Sequence, residues 1–162
     1  MKRAVRFLLI SFVIFGFVGC QTTIYIVRHA EKQSEDDAAL LSEKGHLRAL
    51  RLKAWMVDKN INAVYASSYS RTQQTAQPTA EYFNKDLITY GADTSDVFIR
   101  SINKGNRNLL VVGHTTNIPV MVRELTDLHI SIGLAEFGNI YVLKTQRWLL
   151  GRKTKLNHYI YE

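Results

Sequence analysis

The sequence predicts an α/β fold, a mostly parallel sheet with helices on both faces and a C-terminal antiparallel hairpin. Two patterns carry this. Short apolar, β-branched runs at Thr23–Val27, Ile61–Ala66 and Leu109–Val112 alternate with segments of helical period. Near the C-terminus that alternation stops, and Ile140–Leu143 and Trp148–Gly151 read as paired strands around Thr145-Gln146. A third observation concerns how the strands end. The first delivers Arg28-His29, the second leads through Ser67 and Ser68 to Arg71, and the third ends in Gly113-His114. Parallel sheets gather ligands beyond the C-terminal ends of their strands, so this placement predicts an anion site.

Taken in order, Thr23–Val27 is a buried first strand, and the polar, acidic residues 31–39 form a loop. Ser42 with Glu43 opens a helix whose Leu47, Leu50, Ala54 and Val57 fall at one-face spacing. Ile61–Ala66 is the second strand. A helix over Arg71–Phe83 follows, with Thr72, Thr75, Ala76, Thr79 and Ala80 as a small-residue face. Pro78 removes a backbone donor and should kink or divide it. Leu87–Tyr90 is a short strand, and a helix covers residues 95–103. Leu109–Val112 leads to a helix over Asn117–Leu128, with Ile118, Met121, Val122, Leu125 and Leu128 on one side. Pro119 suits its first turn, where the missing donor would be unpaired anyway. His158–Tyr161 adds an edge strand.

With 162 residues, 46% of them hydrophobic and 22% charged, the chain can bury one core. The formal charge is +7, of which Lys2, Arg3 and Arg6 supply three. The remaining excess suits an anionic ligand. The cations after residue 20 are spread along the sequence without an aromatic-interleaved stripe, which argues against nucleic acid. The first 20 residues read as a secretory signal, with that basic start followed by the apolar stretch Phe7–Val18. Twelve residues are fewer than the ~20 needed to cross a hydrocarbon core. The stretch ends in Phe17-Val18-Gly19-Cys20, which resembles a bacterial lipobox, although Phe17 stands where an aliphatic residue is usual. Cys20 is the only cysteine, so no intrachain disulfide forms, and lipidation is the expected use of its thiol. Residues 21–162 then form a single domain held to a bacterial envelope membrane on its extracytoplasmic side.

Transfer of a phosphoryl group needs an in-line nucleophile and positive charge spread around the equatorial oxygens. Arginine meets the second need with its planar fork, and a neutral imidazole meets the first. Arg28, His29, Arg71 and His114 supply both without a metal. The five histidines (His29, His46, His114, His129 and His158) show neither HxH nor HExxH spacing. His46, His129 and His158 read as surface or structural residues, and Trp55 and Trp148 as covers of the core.

Arg28-His29-Ala30-Glu31 resembles the RHG signature of the histidine phosphatase superfamily, also called phosphoglycerate mutase-like. Leu41-Ser42-Glu43-Lys44-Gly45 with Ala49 is similar to its L[ST]xxGxxQA segment, with Arg48 where glutamine is common. The run Ser67 to Ala76 resembles SxxxRTxQTA, and Val111-Val112-Gly113-His114-Thr115 resembles VGH[GS]. The resemblance implies a phosphoglycerate mutase-like fold and His29 as the residue transiently phosphorylated. Arg28, Arg71 and His114 would complete the phosphate pocket, with Ser68 and Thr115 as further phosphate-binding candidates. The short length is similar to that of the SixA-like phosphohistidine phosphatases, and mutases are longer. The family usually also supplies an acidic residue to protonate the leaving group. Glu31 and Asp93 are the candidates here.

The expected activity is hydrolysis of a phosphate monoester or phosphoramidate through a phosphohistidine, with no cofactor. The substrate would be a phosphorylated small molecule, glycan or peptide. The alternatives are a catalytically silent phosphate-binding module at the envelope and a phosphomutase.

Overall fold

The computed structural model describes residues 20–91 and 96–161. Six strands form one sheet in the order β3-β2-β4-β1-β5-β6. These are β1 (Cys20–Arg28), β2 (Ala63–Ser67), β3 (Leu87–Tyr90), β4 (Asn108–Gly113), β5 (Asn139–Trp148) and β6 (Gly151–Ile160). The first four strands run parallel, and β5 and β6 join antiparallel beside β1. The helices among the described residues are α1 (Glu43–Met56), α2 (Ser70–Tyr82), α3 (Asp96–Ile102) and α4 (Ile118–Thr126). The fold is the one expected from the sequence, terminal hairpin included.

The central strands are apolar throughout because both sheet faces are covered. Ile24, Ile26, Leu109 and Val111 pack with Ile99 and Ile102 of α3 and Ile118, Met121, Val122 and Leu125 of α4. Tyr25, Val27, Leu110 and Val112 point the other way, onto Leu52 and Met56 of α1 and Ala76 and Ala80 of α2. The small face expected for α2 is buried as read. That small face lets α2 lie close to α1 and to the sheet.

Several expectations need correction. The buried face of α1 is Gly45, Arg48, Ala49, Leu52 and Met56. Leu47, Leu50, Ala54 and Val57 lie on the exposed side instead. Apolar periodicity misleads here because the helix seats a glycine and an arginine inward, and neither registers as hydrophobic. The hairpin turns at Leu149-Leu150, not at Thr145-Gln146, and each of its strands has ten residues. Thr145 is buried, its hydroxyl 2.9 Å from that of Thr154, so the ladder continues through the expected turn. Trp148, expected to cover the core, sits half exposed at the end of β5. The edge strand expected at residues 158–161 is the last part of β6.

Helix α4 stops at Thr126, since Asp127 adopts a left-handed φ of 63°, and this leaves Leu128 exposed. Helix α2 passes Pro78 as one undivided element. Thr75, Ala76, Thr79 and Ala80 are buried on either side of it, and their packing holds the helix together despite the missing donor. The first strand starts at Cys20, three residues earlier than read, because β5 is long enough to pair with it as far as Arg147.

Candidate active site

Strands β1 and β4 are neighbours, yet β1 leads to α1 on one sheet face and β4 to α4 on the other. The crevice between their C-terminal ends is therefore a topological switch point. His29 N donates to Gly113 O at 2.9 Å and ties the two strand ends together. This puts the His29 and His114 rings 5.3 Å apart, centroid to centroid. A Cβ on Gly113 would lie 2.6 Å from Asn117 Oδ1. Glycine leaves room for that oxygen to accept from His114 N at 2.8 Å.

His29 is almost fully buried, and its Nδ1 lies 2.8 Å from Ala30 O. A carbonyl can only accept, so Nδ1 carries the proton and Nε2 keeps its lone pair. Burial pushes the His29 pKa down to about 4, and Arg28, Arg71 and Lys32 push the same way against the Ala30 hydrogen bond. His29 is thus a neutral imidazole at pH 7, with one nitrogen fixed and the other available. His114 is also held neutral, its pKa lowered to about 3 by burial, then by His29, Arg71 and Arg28. Its Nε2 lies 2.7 Å from Ser67 Oγ, which in turn lies 2.8 Å from Thr72 Oγ1. Tyr69 meets the His114 ring edge-on, with centroids 5.0 Å apart.

The two arginines are buried and held by backbone carbonyls and aromatic rings. Arg28 Nη1 donates to Leu134 O at 2.7 Å and Gly133 O at 3.1 Å, and its guanidinium lies 4.1 Å from the Phe137 ring centroid. Arg71 Nη1 donates to Asp37 O at 2.6 Å, and its guanidinium covers Tyr69. Among the described residues, the Nε groups of Arg28 and Arg71 are buried without a protein partner. Buried guanidinium donors left open in this way fit an anion as the missing acceptor. Thr75 Oγ1 accepts from Ala30 N at 2.9 Å, so α2 also fixes the backbone beside the nucleophile candidate.

Glu31 does not face this cluster as an acid. Arg48 holds it through two 2.8 Å bonds, Nε to Oε2 and Nη2 to Oε1, and Lys44 Nζ lies 3.3 Å from Oε1. Burial works to raise the Glu31 pKa, but the hydrogen bond from Arg48 and the surrounding cations bring it down to about 2. A carboxylate bound this way is a base tied to two cations, with no proton to give. Asp93, the other acid candidate, lies outside the described residues. Ser68 is exposed, and it is Ser67 that reaches His114. Thr115 is half-buried in the turn after His114. Of the expected site residues, Arg28, His29, Arg71 and His114 thus gather at one crevice.

Sequence reading missed the roles of Ser67, Tyr69, Thr75 and Phe137. The first three stand inside the SxxxRTxQTA-like run and were open to the same reading. Phe137 belongs to residues 129–138, which show no period to mark it. Among the described residues, no group of three or more His, Cys, Asp and Glu is placed to hold a metal ion.

Residues 24–92 match the family model of the histidine phosphatase superfamily, branch 1. Over these residues, fewer than half of the chain, it is similar to that superfamily. The match includes Arg28, His29 and Arg71, and His114 joins them through the fold. A comparison with curated protein sequences finds no match. Among solved structures, the chain is similar to a Nakamurella multipartitia protein described as a SixA phosphohistidine phosphatase. The two share 23% identity and a TM-score of 0.63, over 85% of this chain and 96% of that one. It is also similar to a phosphoglycerate mutase from Bacillus anthracis, at 14% identity and TM-score 0.67, covering 87% and 93%. A mycobacterial glucosyl-3-phosphoglycerate phosphatase aligns at 12% identity and TM-score 0.68, covering 88% and 100%. These likenesses establish a phosphoglycerate mutase-like fold.

Proposed function

We propose that the chain is a metal-independent phosphatase that hydrolyses a phosphate monoester or phosphoramidate through a phosphohistidine on His29. The observation that carries the reading is the tautomer of His29. With Nδ1–H spent on Ala30 O, Nε2 is the nucleophile, and the depressed pKa keeps it unprotonated at neutral pH. Nε2 attacks phosphorus, and the bond to the leaving group breaks with its electron pair going to that group. Arg28 and Arg71, with open Nε donors, take the equatorial oxygens. Water then attacks the phosphohistidine, releases inorganic phosphate and restores neutral His29. Because Glu31 is bound by Arg48, the reading favours leaving groups that need little protonation, phosphohistidine and aryl phosphates among them. The protein would act from an envelope membrane, anchored through a lipid on Cys20.

Hydrolysis of p-nitrophenyl phosphate by the full chain, with inhibition by vanadate, tests the activity. Quenching in alkaline detergent during turnover should trap phosphate on His29 that is stable to base and lost in acid, and His29→Ala should abolish both turnover and trapping. Undiminished turnover in that variant overturns the mechanism. Labelling with a palmitate analogue, lost in Cys20→Ser, tests the anchor separately.

A further inference from the structure

The end of the sheet opposite the catalytic crevice carries features that phosphoryl transfer does not use. Strands β5 and β6 close at Trp148 and Gly151. Between them Leu149 and Leu150 are 95% and 91% exposed, with Trp148 beside them at 47%. Residues 144–155 include Lys144, Arg147, Arg152, Lys153 and Lys155 and no acidic residue. The cations are thus concentrated in this stretch of the sequence, and the spread read for the chain after residue 20 does not hold here. Arg147 and Arg152 are paired across the hairpin, and with Arg100 and Lys104 they line a cleft of about 650 Å³. Glu124 is the acidic residue among the described lining residues. Arg147 Nη1 donates to Thr22 Oγ1 of β1 at 3.2 Å, so this cleft adjoins the start of the first strand. That strand begins at Cys20, in register with Arg147, and the apolar run Phe7–Val18 directly precedes it in sequence.

We propose that this end of the molecule docks on an anionic lipid bilayer. The Trp148-Leu149-Leu150 tip enters the interfacial layer, and Arg147, Arg152 and Lys104 meet the lipid phosphates. The observations fit one occupant. An exposed apolar tip that also carries a tryptophan suits the headgroup boundary, where one end of the indole is wet and the other apolar. The cations around it match the negative charge of such a surface. The eight residue steps from Cys20 to Arg28 would then hold the catalytic crevice roughly 26 Å from the bilayer, facing away from it. The proposal takes its orientation from the envelope reading and needs nothing from the phosphatase chemistry.

The test uses the full chain with Trp55→Phe, which leaves Trp148 as the one tryptophan of two. It is mixed with phosphatidylcholine vesicles, with or without one-third phosphatidylglycerol, whose acyl chains are brominated near the headgroup. Trp148 emission should shift to the blue and fall at least twofold on anionic vesicles, with a much smaller change on neutral ones. Adding Leu149→Ser and Leu150→Ser should remove the quenching and leave p-nitrophenyl phosphate hydrolysis unchanged. Unquenched Trp148 on vesicle-bound protein overturns the proposal, as does failure to bind anionic vesicles. A self-associating chain whose dimer is lost in the double variant, with no quenching, assigns the tip to a second copy and also overturns it. In Cys20→Ser the quenching should persist, so failure of the lipid anchor alone reads differently from failure of the docking surface.

Discussion

His29 and His114 show how residue identity becomes reactivity only through surroundings. Both imidazoles are held neutral mainly by burial and then by nearby positive charge, which disfavours a further proton. For the proposed nucleophile the unprotonated form is the active one. With p-nitrophenyl phosphate, kcat/KM of the free protein should therefore stay flat through pH 6 and fall below about pH 4. A limb near the ordinary histidine pKa of about 6.5 would contradict that assignment. Ser67 is the neighbour that orients His114. Ser67→Ala removes two buried hydrogen bonds, to His114 and to Thr72, of about 1 kcal/mol each, and should lower kcat/KM on the order of tenfold, with KM changing less. Replacement by threonine, which retains a hydroxyl, should restore part of the loss.

At the scale of elements, α1 is the instructive case. Its N-terminus is seated so closely on the loop after His29 that a Cβ on Gly45 would lie 2.1 Å from Glu31 O. Ser42 caps the helix there, its Oγ accepting from Gly45 N at 3.1 Å and donating to Glu31 O at 3.2 Å. Gly45→Ala should destabilise the fold by about 2 kcal/mol, the cost of overpacking against backbone that cannot move aside, read as a lower urea midpoint. Arg48 sits one turn further and carries the forked bond to Glu31. Arg48→Gln, which installs the residue type common at this position in the family it resembles, leaves Glu31 with Lys44 alone. A loss of about 1–2 kcal/mol is expected, since charge-assisted hydrogen bonds to a part-buried carboxylate are removed. The Leu149-Leu150 turn was illegible for a related reason. Hairpin turns are read from Gly, Asn and Asp, and here two leucines occupy the turn.

Over the whole molecule, three groups that titrate abnormally link stability to acidity. His29 and His114 bind protons more readily unfolded, near pH 6.5, than folded, near 4 and 3. The unfolded chain therefore takes up protons first, and stability falls as pH drops from about 6.5 toward 3. Glu31, lowered from 4.5 to about 2, extends the loss as pH falls from 4.5 toward 2. The thermal midpoint should decline steadily below pH 6.5, and His29→Asn should make the part between 6.5 and 4 shallower, with the contribution of His114 left in place. The same molecule separates its two ends, with the crevice at the C-terminal ends of the parallel strands and the basic, apolar tip at the other. Variants at one end should leave the other unaffected, because the sites share no side chain.

By itself the sequence determined the parallel core, the order of its strands and helices, and the four residues that gather at the crevice. These follow from local patterns: apolar runs long enough for strands, helical spacing between them, and polar residues placed where strands end. The small face of α2 was legible for the same reason, since Thr and Ala recur at helical spacing. Only the tertiary structure decided which face of α1 is buried, where the last hairpin turns, and that Glu31 belongs to Arg48. Those depend on which backbone approaches Gly45, how far β5 pairs along β1, and which cation a carboxylate meets across 17 positions of chain. Such pairings are long-range, and a linear pattern of hydrophobicity and charge carries no record of them.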